Sequence, residues 1–218
     1  MKFIKLSLVA ALLATGMLAA ETSEVGVSAN MAITSNYVWR GMTQTKNSPA
    51  IQGGIDLDYN GIYAGVWGSN IEFGDAKASL EADVYVGYTN EIEGFSYDVG
   101  FVNYMYPNQS DELNFGETYI GLGYDFGVAS VGAKYSLAVD TADNDYDLDN
   151  WELTASAPLA MEFSIDVTYG DYDEVGAYYL VGLNKSVGKF DFTVAYTAMD
   201  HDNADTEDNF VATVGTSF

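Results

Sequence analysis

Acidic side chains recur at every second position in this chain: Asp56 with Asp58, then Glu81 with Asp83, each pair set among apolar residues. Single acids stand in similar settings at Asp98, Glu117, Glu152 and Asp166, and two cations, Arg40 and Lys134, occupy comparable places. A spacing of two puts both carboxylates of a pair on one face of an extended strand. Carboxylates gathered on the wall of a confined, wet space create a negative potential that concentrates cations and repels anions.

Other chemistry is poorly supplied. The chain has no Cys and one His, His201, which excludes disulfides, thiolate metal sites, cysteine nucleophiles and clusters of histidine ligands. His201 sits in an acidic stretch expected to be an exposed loop, with no serine beside it to act as nucleophile. The run from Asp140 to Asn150 begins like a calcium loop. Counting from Asp143, however, position six is Leu148 where the turn needs Gly, and position twelve is Thr154 where a bidentate Glu is needed. The run from Asp200 to Asp205 lacks the same two features. The expectation is a protein that is not an enzyme and takes no metal or cofactor. With 8 Lys+Arg against 32 Asp+Glu, a formal net charge of −24, it is also repelled by phosphate backbones, so nucleic acid is not a partner.

The elements that position these acids alternate with period two. Ile51, Ile55, Leu57 and Tyr59 oppose Gln52, Asp56 and Asp58; Leu80, Ala82, Val84 and Val86 oppose Glu81 and Asp83. The same pattern predicts about twelve strands, near 25–39, 51–60, 62–70, 80–89, 95–106, 115–125, 129–139, 151–158, 163–169, 177–185, 190–197 and 209–218. The faces of 62–70 and 177–185 stay ambiguous, since both sides carry large residues. Parity places Arg40, Asp56, Asp58, Glu81, Asp83, Asp98, Glu117, Lys134, Glu152 and Asp166 on the polar face, and Val84 and Val86 on the apolar one.

Alternation alone fits a soluble sandwich or a membrane barrel. Three features favour the barrel. Short connections such as Asn60-Gly61 alternate with longer ones such as 41–50 along the chain, as short turns at one rim and long loops at the other require. Aromatic residues cluster at both strand ends: Tyr59, Tyr88, Phe95, Tyr124, Phe126, Phe163, Phe190 and Phe218 near the short turns; Trp39, Trp67, Trp151 and Tyr169 near the long loops. The last strand carries Phe210, Ala212, Val214 and a terminal Phe218 on one face, a pattern resembling the signal that barrel-assembly machinery reads. Before all this, Lys2 and Lys5, the apolar run Leu6 to Leu13 and Ala19-Ala20 have the layout of a signal peptide over residues 1–20. The expected product is a closed all-β antiparallel transmembrane barrel over 21–218, since lipid tolerates no open sheet edge.

Several stretches in order resemble a known family. They are Ser35-Asn36-Tyr37-Val38-Trp39-Arg40-Gly41 followed by Gln44, Pro49 to Asp56, Gly61 to Asn70, Glu81 to Tyr88, Tyr104-Met105-Tyr106-Pro107 and Glu117-Thr118-Tyr119. Together they are similar to the TorF-type porin family of proteobacterial outer membranes. Asn108 stands where that family often has Gly, and beyond about residue 128 only the general barrel pattern remains. The resemblance implies a Gram-negative outer-membrane barrel reached through the periplasm, in contact with outer-membrane lipid and lipopolysaccharide, and brings no catalytic residues. The expectation is passive diffusion of small solutes with cations preferred. Two alternatives stay open: acids paired with Arg40 and Lys134 inside a plugged barrel, or a structural or adhesive barrel that conducts nothing.

Overall fold

Short reversals require residues that tolerate positive φ, and the chain supplies them at one rim. Asn60 (φ 50) and Gly61 (φ 85) both take the left-handed conformation, as do Glu93 (φ 52) and Gly94 (φ 84). Such turns match the right-handed twist of the strands they join. A Cβ at residue 61 would stand 2.5 Å from the Thr89 carbonyl oxygen, so Gly is needed there for space as well as for φ.

The structure is a computed structural model that describes residues 25–73, 77–107, 113–139 and 148–218. The expected signal peptide, 1–20, and most of the Asp-rich stretch, 140–147, lie outside these residues. The strands are β1 (Gly26–Thr34), β2 (Val38–Trp39), β3 (Met42–Thr43), β4 (Ala50–Tyr59), β5 (Ile62–Asn70), β6 (Leu80–Ile92), β7 (Phe95–Met105), β8 (Phe115–Asp125), β9 (Ser130–Val139), β10 (Asn150–Pro158), β11 (Phe163–Tyr172), β12 (Gly176–Val187), β13 (Phe190–His201) and β14 (Glu207–Ser217). β1 and β4 to β14 form a closed barrel in which every neighbour is antiparallel. β1 closes it by pairing with β14 on one side and β4 on the other. The expected twelve-stranded barrel is therefore the fold. Its strands of 9 to 13 residues suit the roughly 9–11 tilted residues that cross a hydrocarbon layer.

Exposure is inverted relative to a soluble protein. On β6, Val84 and Val86 are 45% and 49% exposed, whereas Glu81 and Asp83 are 2%. The outward surface repeats this pattern with Ile33, Ile55, Val66, Ile120, Leu137, Val167, Leu183 and Val194. An apolar band of this kind is stable facing lipid and costly facing water. Val84→Arg should accordingly lower stability in vesicles by about 2–4 kcal/mol if it lies near the bilayer midplane. Urea unfolding of the heat-modifiable band measures this; an unchanged midpoint would contradict the lipid-facing assignment.

Three expectations need correction. The first strand ends at Thr34 rather than near 39, because residues 35–49 leave the wall and fold inward through the small β2–β3 ladder. Trp39 and Trp67 do not join the aromatic belt: both pack inside, Trp67 edge-on to Tyr37 at 5.4 Å. The belt on the long-loop side comes instead from Trp151 with Tyr169, and Tyr196 with Tyr179 and Phe210. Finally, His201 ends β13, paired with Gly176, rather than lying in a loop. The two ambiguous strands are settled by burial and register. Tyr63, Trp67 and Ser69 of β5 and Tyr178 and Asn184 of β12 face inward, while Val66, Tyr179, Val181 and Leu183 face out.

Candidate functional site

The inward loop decides what the interior can do. Its ladder pairs Val38 with Thr43 and Trp39 with Met42, leaving Arg40 (φ 47) and Gly41 (φ 81) at the tip in the left-handed conformation. The tip touches the wall at β13, where a Cβ on residue 41 would lie 2.5 Å from the Ala198 carbonyl oxygen. From there Arg40 reaches β8. Its Nη1 and Nη2 each lie 2.8 Å from a Glu117 carboxylate oxygen, a two-pronged ion pair. β13 and β8 are five strands apart in the ring of twelve, so the loop spans the lumen.

Aromatic faces complete the clamp. The guanidinium lies 4.2 Å from the Trp39 ring centroid and 4.7 Å from that of Tyr172 on β11. Burial is the strongest single influence and opposes its charge, but the Glu117 carboxylate together with the Tyr104 and Tyr178 hydroxyls raises its pKa on balance. The base of the loop is tied at several points. The Asn36 amide donates to Asn209 (3.1 Å) and Asn47 (2.8 Å), the Thr43 backbone N–H donates to Glu207 (2.6 Å), and the Tyr37 hydroxyl donates to Glu81 (2.8 Å).

The other acids distribute around the wall. Asp56 accepts hydrogen bonds from Tyr85 and, at 3.5 Å, from Asn30. Asp98 accepts from Tyr63 at 2.7 Å, and the Tyr63 and Tyr119 hydroxyls touch. Asp58 is half-buried near the turn rim of β4. Lys134 and Glu152, cross-strand partners on β9 and β10, form an ion pair at 3.1 Å; the Tyr178 hydroxyl lies 3.0 Å from Glu152. Asp166 accepts from Asn184, whose own oxygen accepts from Thr193 at 2.7 Å.

Nine of the ten residues singled out by parity thus stand on inward strand positions. The tenth, Arg40, is at the tip of the inward loop rather than on the polar face of a wall strand. Glu81, Asp83 and Glu117 are inside but sealed from solvent around the loop. Arg40 and Lys134 each serve one carboxylate, and no ion pair among the described residues reaches Asp56, Asp58, Glu81, Asp83, Asp98 or Asp166. At the C-terminus, Phe210 and Phe218 are exposed on the outer surface, and Val214 is partly covered on the same face.

The tyrosines are what sequence reasoning missed. Tyr63, Tyr85, Tyr119 and Tyr178 all face inward, and each lies directly across the ladder from a glycine: Gly87, Gly65, Gly100 and Gly170 respectively. A Cβ on any of these glycines would come within 2.3–2.6 Å of the opposing ring or hydroxyl. The rings therefore lie flat on the wall over residues with no side chain. Once the hairpin register is known, this Tyr–Gly pairing is readable in the sequence.

Comparison with known proteins adds a family and a fold. A family described as bacterial proteins of unknown function, Gcw_chp, matches residues 18–218. This chain belongs to the Gcw_chp family. No curated protein matches it. Among solved structures, this Gcw_chp barrel is similar to the KdgM porin, with a TM-score of 0.62 at 12% identity over 88% of this chain and 98% of that one. It is also similar to the NanC porin, with a TM-score of 0.59 at 11% identity over 88% and 99%. At such identities the likeness is one of fold: a closed, porin-type barrel.

Proposed function

We propose that this Gcw_chp protein is an outer-membrane porin of a Gram-negative bacterium, passing small solutes by passive diffusion and preferring cations. The observation that carries the reading is a closed barrel with an apolar outside and an inside whose charge is predominantly carboxylate. The resemblance to the TorF-type porins and the barrel fold shared with KdgM and NanC support it. In this reading the ten residues from Arg40 to Asp166 set the field within the pore, with Asp58 and Asp98 the carboxylates of the unpaired group best placed to meet water. Lipid and lipopolysaccharide surround the apolar band, and Phe210, Val214 and Phe218 form the signal read by the assembly machinery. The protein works as a channel and not as an enzyme.

Reversal potential in a salt gradient across a planar bilayer tests this. K⁺ should pass more readily than Cl⁻, with the preference fading as salt rises, because screening acts over about 10 Å at 0.1 M. Asp58→Asn with Asp98→Asn should weaken the preference and leave the barrel folded. Anion selectivity, or an unchanged potential in the double variant, would defeat the mechanism.

A second reading has its own support. The loop spans the lumen and many inward side chains are buried, which favours a barrel that conducts nothing and serves a structural or adhesive role. Absence of single-channel steps from a folded, inserted protein would select it.

A further inference from the structure

Glu81 and Asp83 pose a physical problem that the rest of the barrel solves elsewhere. They sit two residues apart on the inward face of β6, both almost wholly removed from solvent. Two carboxylates withdrawn from water cannot both keep their charge without compensation. Glu117 has Arg40, and Glu152 has Lys134. Glu81 and Asp83 have no basic neighbour in any ion pair of the described residues. Of the remaining basic residues, Lys46 pairs with Glu72, Lys185 lies over the Phe163 ring, and Lys77 and Lys189 are exposed. The stretches 74–76, 108–112 and 140–147 contain no Lys, Arg or His.

Oxygen atoms converge on the pair. The Tyr37 hydroxyl, from the inward loop, donates to Glu81 at 2.8 Å. Asp83 Oδ1 is buried without a hydrogen-bond partner. So is the hydroxyl of Tyr104, which is 3% exposed and stands directly across the β6–β7 ladder from Asp83. A carboxylate oxygen and a phenol oxygen left without partners on facing positions of one ladder form an arrangement that a bound cation completes.

We propose that Glu81, Asp83 and the hydroxyls of Tyr37 and Tyr104 bind a hard divalent cation, with Ca²⁺ as the chemical type. The donors are all oxygen, the pair carries the two negative charges such an ion neutralises, and water completes a coordination shell of six to eight. No group of three or more acidic or histidine side chains suited to a metal occurs among the described residues, so the site depends on the tyrosines and water beyond its two carboxylates. Since Tyr37 belongs to the loop and the carboxylates to β6, the ion ties the loop to the wall. This inference stands whether or not the lumen conducts.

Terbium luminescence tests it. Tb³⁺ replaces Ca²⁺ on oxygen ligands and emits when an excited indole or phenol lies close, and Trp67 is the cross-strand partner of Asp83. The full-length folded barrel, stripped with EDTA in detergent, should show sensitised emission that Ca²⁺ competes away. Asp83→Asn, which removes charge from a group without a hydrogen-bond partner at Oδ1, should weaken Tb³⁺ binding by about ten-fold or more. Asp200→Asn with Asp202→Asn, in the exposed acidic run, should not change it. The heat-modifiable band verifies that each variant is folded. No emission from wild type, emission that Ca²⁺ does not displace, or equal binding by wild type and Asp83→Asn would overturn the proposal and leave the pair sharing a proton instead.

Discussion

Arg40→Met should destabilise the barrel by about 3–5 kcal/mol, the cost of stranding one member of a buried ion pair. Glu117 is 0% exposed, and both its oxygens face the guanidinium. Without that cation the carboxylate must stay charged in a dry site, take a proton, or push the loop aside to admit water, and each route costs stability. The paired variant Arg40→Met with Glu117→Met should recover most of the loss, since a buried pair replaced by apolar groups of similar size is often neutral. Urea midpoints in lipid vesicles for the two single variants and the double variant form the required cycle. A single-variant loss below about 1 kcal/mol would mean that the clamp does not hold the loop.

Replacing Val38–Thr43 by two glycines should raise single-channel conductance by roughly two- to five-fold, because a pore's conductance is governed by its narrowest polar constriction. The excised segment carries the β2–β3 ladder, Trp39 and Arg40, which bridge β13 and β8 across the lumen. The twelve-stranded wall lies outside the excision, so the heat-modifiable band should persist. Equal conductance before and after excision would place the constriction elsewhere. Silence in both forms would favour the non-conducting barrel.

The wall was legible because its rule is local. Alternate apolar residues such as Val84 and Val86 must share a face, and the carboxylates between them must share the other, whatever the distant chain does. The turn Asn60-Gly61 likewise announces itself through the φ values it needs. The loop was not legible for the same reason. Val38-Trp39 continues the apolar character of β1, so local pattern extends the strand, whereas its actual partners are Tyr104, Phe115 and Tyr172, between 65 and 133 residues away. Large rings near a rim usually face lipid, which is why Trp39 and Trp67 read as belt residues; here they fill the inside of the long-loop half. The parity rule placed Glu81 and Glu117 inside, but only long-range contacts distinguish a carboxylate facing water from one sealed beneath a loop.

The cross-strand tyrosines have a consequence for assembly. On β5 and β6, Tyr63 faces Gly87 while Gly65 faces Tyr85, a reciprocal arrangement. A slip of one residue would turn every side chain to the wrong face, so the tempting error is a slip of two, which preserves inside and outside. In one direction that slip sets Tyr63 against Tyr85, two rings where the wall has room for one. In the other it sets Gly65 against Gly87 and leaves a gap, with Trp67 brought opposite Tyr85. Either mistake is penalised as soon as the hairpin closes, before the barrel is complete. The glycines therefore act as a keyed joint that lets a nascent hairpin reject the wrong alignment while it is still a hairpin.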